Sequence, residues 1–183
     1  MKLSYILMTA GVAAIAVPAQ GAVSVFGNTY ARTCYNAAEG GGGRTAISSC
    51  DTALQQENLS RSDRVATYVN RGILKMRLAD MDGAIADFDR AIALDAGEAE
   101  AYLNKGMAVL RLPNAEDKAI GLFDSALEKK TRRPAFAYYG RAVAHELNGR
   151  VKEAYRDYSQ ASALEPKWRE PKADLARFTL RRQ

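Results

Sequence analysis

Apolar and small residues recur along this chain in a frame of 35 residues. Ala84, Phe88 and Ala91 return as Ala119, Phe123 and Ala126, and again as Ala154, Tyr158 and Ala161. Upstream of each set stands a matching block: Tyr68-Val-Asn-Arg-Gly72, Tyr102-Leu-Asn-Lys-Gly106 and Tyr138-Tyr-Gly-Arg-Ala142. Spacings of three and four place the members of each set on one helix face. The unit is too long for one helix, since helices average about 11–12 residues, and it accommodates two helices with two tight turns. A lone helical hairpin cannot bury its apolar face, so copies stack around a shared core. The pattern predicts an all-α solenoid with helices near 29–38, 44–58, 62–79, 81–95, 98–112, 114–130, 134–148, 150–164 and 168–182.

The beginning of the chain follows a different pattern. Met1-Lys2 precedes an uncharged run from Leu3 to Val17, followed by Pro18-Ala-Gln-Gly21. The run falls short of the about 20 apolar residues that span a bilayer, and the small residues Ala19 and Gly21 suit a signal peptidase. Residues 1–21 are expected to be an export signal cleaved near Gly21–Ala22, giving a periplasmic or secreted protein. No cysteine stands at that point, so no lipid anchor is expected there.

Cys34 and Cys50 are the only cysteines. An even count in an exported chain favours a disulfide. The repeat frame agrees: Cys50 and Ala53 occupy the slots of Phe88 and Ala91, and Cys34 occupies the slot of Gly72. In the later units these two slots must face each other, so the cysteines are expected to meet in a degenerate N-terminal hairpin. A loop of this size contributes about 3 kcal/mol in the chain-entropy account. A metal site would bring further Cys or His ligands, yet His145 is the only histidine and lies far along the chain. The hairpin loop Gly40 to Gly43, followed by Arg44, lacks the Gly-Lys-Ser/Thr end of a phosphate cradle and reads as a turn.

Tyr68, Gly72, Ala84, Phe88 and Ala91, with their counterparts through Tyr158, Ala161 and the helix-ending Pro166, resemble the tetratricopeptide repeat family over roughly residues 65–166. The resemblance implies a right-handed α-solenoid of helix-turn-helix hairpins and a peptide- or protein-binding role. The expected organisation is a leader at 1–21, a disulfide-bridged degenerate helical hairpin at 22–61, three repeats at 62–166 and a basic capping helix at 167–183. Trp168, Leu175, Phe178 and Leu180 would cover the last apolar face, with Pro171 in the first turn. One departure stands out. The slot before the small residue, usually apolar in the family, holds Arg71, Lys105 and Arg141. Arg71 is expected to reach Asp87, and Arg141 to reach Asp157, whereas the lysine repeat has Leu122 at the acid's position. The second repeat also carries an extra residue around Arg111 to Asn114, so its turn should differ.

In this family the first helix of each repeat lines the concave face. There the chain offers Ala66, Val69, Ile73 and Met76; Glu100, Leu103, Met107 and Leu110; Phe136, Tyr139, Val143 and Glu146. The candidate partner groove is Val69, Ile73, Met76, Leu103, Met107, Leu110, Phe136, Tyr139 and Val143. An apolar strand or amphipathic helix of a protein partner would suit it, although part of the stripe also packs between repeats. The family's carboxylate clamp is not carried over, because the stripe lacks lysines.

Net charge is +5, but Lys2 supplies one of these charges and residues 22–166 hold nineteen basic and nineteen acidic side chains, so the remaining +4 lies in the tail. Lys167, Arg169, Lys172, Arg177, Arg181 and Arg182 face only Glu170 and Asp174 there. Such a tail either attaches to a membrane surface or an acidic polymer or is a solvated helix end that complements its own dipole. A neutral, exported solenoid is not expected to bind nucleic acid. One histidine, no metal constellation and no nucleophile–base pair point away from catalysis; no cofactor is expected, and His145 is expected to face the second helix of its hairpin. The reading is a non-catalytic interaction module or assembly adaptor.

Overall fold

The computed structural model describes residues 3–7, 21–25, 29–56 and 58–182. These form α1 (Thr29–Gly40), α2 (Arg44–Gln56), α3 (Arg61–Arg77), α4 (Met81–Leu94), α5 (Ala99–Val109), α6 (Glu116–Glu128), α7 (Pro134–Leu147), α8 (Val151–Leu164) and α9 (Glu170–Leu175). Strand β1 (Leu3–Leu7) pairs antiparallel with β2 (Phe178–Arg182), Tyr5 opposite Leu180. Four hairpins stack in order, and the first helices α1, α3, α5 and α7 pack side by side along the stack. The protein is an α-solenoid. No helix among the described residues is long and apolar enough to cross a membrane.

The repeat frame explains the packing. Phe88 and Phe123 are fully buried, and each lies against the small slot of its own first helix. A Cβ on Gly72 would come within 2.5 Å of the Phe88 ring, and one on Gly106 within 2.8 Å of the Phe123 ring. Gly140 faces the same ring, since a Cβ placed there would lie 2.4 Å from Phe123 Cζ. One ring thus joins two repeats, which lets α5, α6 and α7 close around it. The turn inside each hairpin uses one left-handed residue: Gly41, Ala79, Asn114 and Gly149, with φ of 83°, 61°, 53° and 68°. The second repeat takes six residues to turn, 110–115, where the first takes three, 78–80. That is the extra-residue effect expected around Arg111 to Asn114.

Cys34 and Cys50 are joined between α1 and α2, with Cα atoms 4.9 Å apart. Both are fully buried in the apolar cluster that runs on through α3 to α7.

The cations in the pre-glycine slot are all paired. Arg71 grips Asp87 through Nε (2.8 Å) and Nη2 (2.6 Å), and Arg141 grips Asp157 in the same way at 2.7 and 2.8 Å. Each also reaches back to the preceding hairpin, Arg71 to Asp51 at 2.6 Å and Arg141 to Asp124 at 2.5 Å. Lys105 pairs with Asp89. Asp51, Asp89 and Asp124 all follow the core residues Cys50, Phe88 and Phe123, so one slot supplies a bridge to the next repeat. In the last repeat this slot is Ser159, which has no following first helix to meet.

The C-terminal end departs from expectation. Instead of one helix over 168–182, α9 stops at Leu175 and the chain turns into β2. Two contacts account for the break. Arg177 folds inward onto Glu146, at 2.6 and 2.8 Å, and Phe178 is buried against Tyr155 and Tyr158. Capping is still achieved, since Trp168, Leu175 and Phe178 all pack on the last repeat. The side chain of Leu180 lies outside the described residues, as does most of the expected leader.

Candidate functional site

The face that carries the candidate groove is built by α3, α5 and α7, which pack side by side. Amphipathic spacing turns Val69, Ile73 and Leu103 so far inward that they are wholly enclosed, with Met76, Val143, Tyr139 and Met107 buried and Leu110 and Phe136 half-buried. Most of the apolar stripe expected to receive a partner is therefore packed against the molecule itself. Two features fill the space over it.

At the C-terminal end, Trp168 stacks on Phe136 with centroids 4.4 Å apart and leans on Tyr139 at 4.8 Å. The Tyr139 hydroxyl donates to Asp174 at 2.8 Å. Burial, and then the Asp174 carboxylate, raise its pKa above the ordinary phenol value, so it remains a donor. Beneath it Tyr158 donates to Glu146 at 2.8 Å, and Glu146 also takes Arg177. These contacts close the groove over the third repeat. Two of the tail's cations are also engaged: the half-buried Arg177 with Glu146, and the exposed Lys172 with the Pro166 carbonyl at 2.7 Å.

At the N-terminal end, the extended segment Gly21–Val25 crosses the first helices. Asn70 of α3 reads its backbone at both groups. The Val23 N–H donates to Asn70 Oδ1, and Asn70 Nδ2 donates to the Val23 carbonyl, each at 2.8 Å. Toward α5, Gly21 is buried beside Glu100 and Asn104. A Cβ there would lie 3.0 Å from Glu100 Oε2 and 3.1 Å from Asn104 Nδ2. Toward α1, Val25 is buried in a cluster with Ala31, Ala53, Leu59 and Ala66. Ser24 faces solvent.

Glu100 is held rigid in this arrangement. It accepts from the Thr131 hydroxyl at 3.0 and 3.1 Å and from the Arg132 N–H at 2.7 Å. It thereby ties α5 to the start of α7, and a cleft of about 460 Å³ opens between Val23, Ser24, Glu98, Glu100, Lys129 and Arg132. Asn104 donates to the Glu100 carbonyl at 2.8 Å. Asn70 and Asn104 share one slot of the repeat, two positions before the small residue, and in the third repeat Gly140 takes it. Sequence reasoning passed over this pair. The signal was present, because an asparagine recurring on an otherwise apolar face needs a polar partner.

His145 lies where expected, facing α8, 3.8 Å from Asp157. Burial depresses its pKa, against the pull of Asp157, and its Nδ1 has no hydrogen-bond partner. Among the described residues no group of three or more His, Cys, Asp and Glu is placed to hold a metal.

No family model and no curated protein matches this sequence. Solved structures do. PilW, a type IV pilus biogenesis factor, superimposes with a TM-score of 0.71 at 20% identity, covering 81% of this chain and 66% of that one. The tetratricopeptide domain of Arabidopsis OM64 gives 0.61 at 24% identity, over 64% of this chain and 96% of that one. The first such domain of Spaghetti (RPAP3), solved with the HSP90 peptide SRMEEVD, gives 0.58 at 22% identity, over 62% and 88%. This chain has the tetratricopeptide repeat fold. At these identities the likeness defines the architecture, and the specific chemistry rests on the residues above.

Proposed function

We propose that this tetratricopeptide protein is a non-catalytic interaction module that receives an extended segment of a protein partner across α3 and α5. The observation that carries this reading is the two-point grip of Asn70 on the backbone N–H and C=O of Val23. A carboxamide that accepts from an N–H and donates to a C=O of the same residue binds main chain, independent of side chain, as an adjoining β-strand does. The RPAP3 domain, which shares the fold, is one that holds a peptide. Apolar contacts would come from the half-buried Leu110 and the edge of Met107, not from the enclosed Val69, Ile73 or Leu103.

The oxidised pair Cys34–Cys50 and the uncharged run at 3–17 support export to the periplasm or secretion. Attachment of the basic tail to a membrane or acidic polymer is the competing reading. It has less to draw on here, because Arg177 and Lys172 are engaged internally.

The test is affinity capture of the partner, followed by titration of the purified pair against Asn70→Ala and against Arg181→Ala/Arg182→Ala. Loss of one bidentate amide contact should weaken groove binding by about tenfold or more. The tail variant should bind as the parent does, and salt should matter little. Retained binding in Asn70→Ala with loss in the tail variant would reverse the assignment.

A further inference from the structure

We propose that Gly21–Val25 is a built-in competitor for the partner site, and that it doubles as a template for the partner. This rests on the reading of the concave face given above. In the chain that retains Gly21 the segment has three determinants, each met by a fixed group of the solenoid; cleavage between Gly21 and Ala22 would leave the two at Val23 and Val25. At the first position glycine is favoured, since a Cβ would lie 3.0 and 3.1 Å from polar atoms of Glu100 and Asn104 and would press them aside by a few tenths of an ångström. Glu100 does not move easily because Thr131 and the Arg132 amide hold it. At the third position the main chain satisfies Asn70. At the fifth, a Val side chain fills the small pocket of Ala31, Ala53, Leu59 and Ala66. The fourth position is exposed and unconstrained. The ligand class is thus an extended chain of the form Gly-x-x-x-Val, with a free N–H and C=O at the middle residue.

The same contacts imply competition. Asn70 has one carboxamide and cannot serve two backbones at once. The segment is joined to α1, which starts at Thr29, by a short connection, so its local concentration at the groove is on the order of millimolar or higher. A partner must displace it, and its apparent affinity is divided by the small fraction of molecules in which the segment has left.

The experiment uses the full chain and an amidated peptide Gly-Ala-Val-Ser-Val carrying fluorescein on its N-terminus through a flexible linker, followed by fluorescence anisotropy. Val23→Pro in the chain removes the N–H that Asn70 accepts while keeping an extended backbone. Val25→Ser withdraws the apolar anchor without touching Asn70. Both variants should bind the peptide about tenfold or more tightly than the parent. Adding Asn70→Ala to either should abolish the gain, and a peptide with Pro in place of its central Val should not bind. Circular dichroism controls for folding, and the two opening variants act through different contacts, so failure of one to fold leaves the other. Equal peptide affinity in the parent and both opened variants overturns the proposal, as does binding that survives Asn70→Ala. If the native partner loses affinity in Asn70→Ala while the opened variants gain none for the peptide or the partner, the groove assignment stands and the competitor fails. If the partner ignores Asn70→Ala in the Val25→Ser background, where the segment no longer competes for Asn70, the groove assignment itself fails.

Discussion

Arg71 and Asp87 form a two-bond fork between α3 and α4, with Asp87 completely buried. Burial alone would push the Asp87 carboxyl up in pKa. The hydrogen bonds from Arg71 and Lys75 outweigh it and hold the group below its usual value. Lys75 lies 2.7 Å away and Arg90 3.0 Å. Asp87→Ala strands two largely buried cations, so it should cost about 3 kcal/mol or more in urea unfolding. Asp89→Ala removes the half-exposed acid that meets Lys105 and should cost less than about 1 kcal/mol.

Stability should fall as pH drops below about 6.5, and His145 is the reason. Its folded pKa is depressed, so the unfolded chain takes up the proton first and gains by it. Asp157 and Glu153 pull the imidazole toward the charged form while Arg141 and Arg150 push against it, and burial is the largest effect. Asp87 has the opposite placement: its contribution is intact above the ordinary carboxylate pKa of 3.8 and is lost only below it. Melting temperatures of the parent should therefore decline between pH 7 and 5, and those of His145→Gln should decline less. Identical slopes would remove His145 from the account.

Removing the bridge in Cys34→Ala/Cys50→Ala should lower stability by about 3 kcal/mol, the entropy of a loop of this size. The check is a denaturant titration of oxidised parent and double variant. The parent under reducing conditions should move toward the variant.

Ala79 sits at φ 61° in the exposed turn between α3 and α4. An L-residue there is strained by roughly 1–2 kcal/mol, and glycine is not, though it costs some unfolded-state entropy. Ala79→Gly should raise the unfolding free energy by a few tenths to about 1 kcal/mol.

Much of this was legible in the sequence because it repeats. The Gly72–Phe88 contact, the forks of Arg71 and Arg141, and the meeting of Cys34 with Cys50 each follow from a slot that recurs. What was not legible lies outside the repeat. No periodicity announces that Gly21–Val25 returns to cross α3, since a five-residue extended segment has no helical pattern. The tail has a helical beginning, but the inward pull of Glu146 on Arg177 and the pocket for Phe178 end it early, and both are long-range contacts. The apolar stripe illustrates the same limit. Spacing places Val69, Ile73, Leu103 and Met107 on one face, but not whether that face is open. Met107, central in that stripe, is packed, which decides what a Met107→Glu substitution would report. A charge in that packed position should destabilise the fold by about 2 kcal/mol or more, so loss of a partner in that variant would not identify the groove.

The grip of Asn70 on the Val23 backbone can be read from a single amide. In the parent, the Val23 N–H should exchange with deuterium at least about a hundredfold more slowly than an unprotected amide, because it leaves its acceptor only when the segment undocks. In Asn70→Ala the protection should collapse while the amides of α5 and α6 keep theirs. A Val23 amide that exchanges at the unprotected rate in the parent would contradict the account.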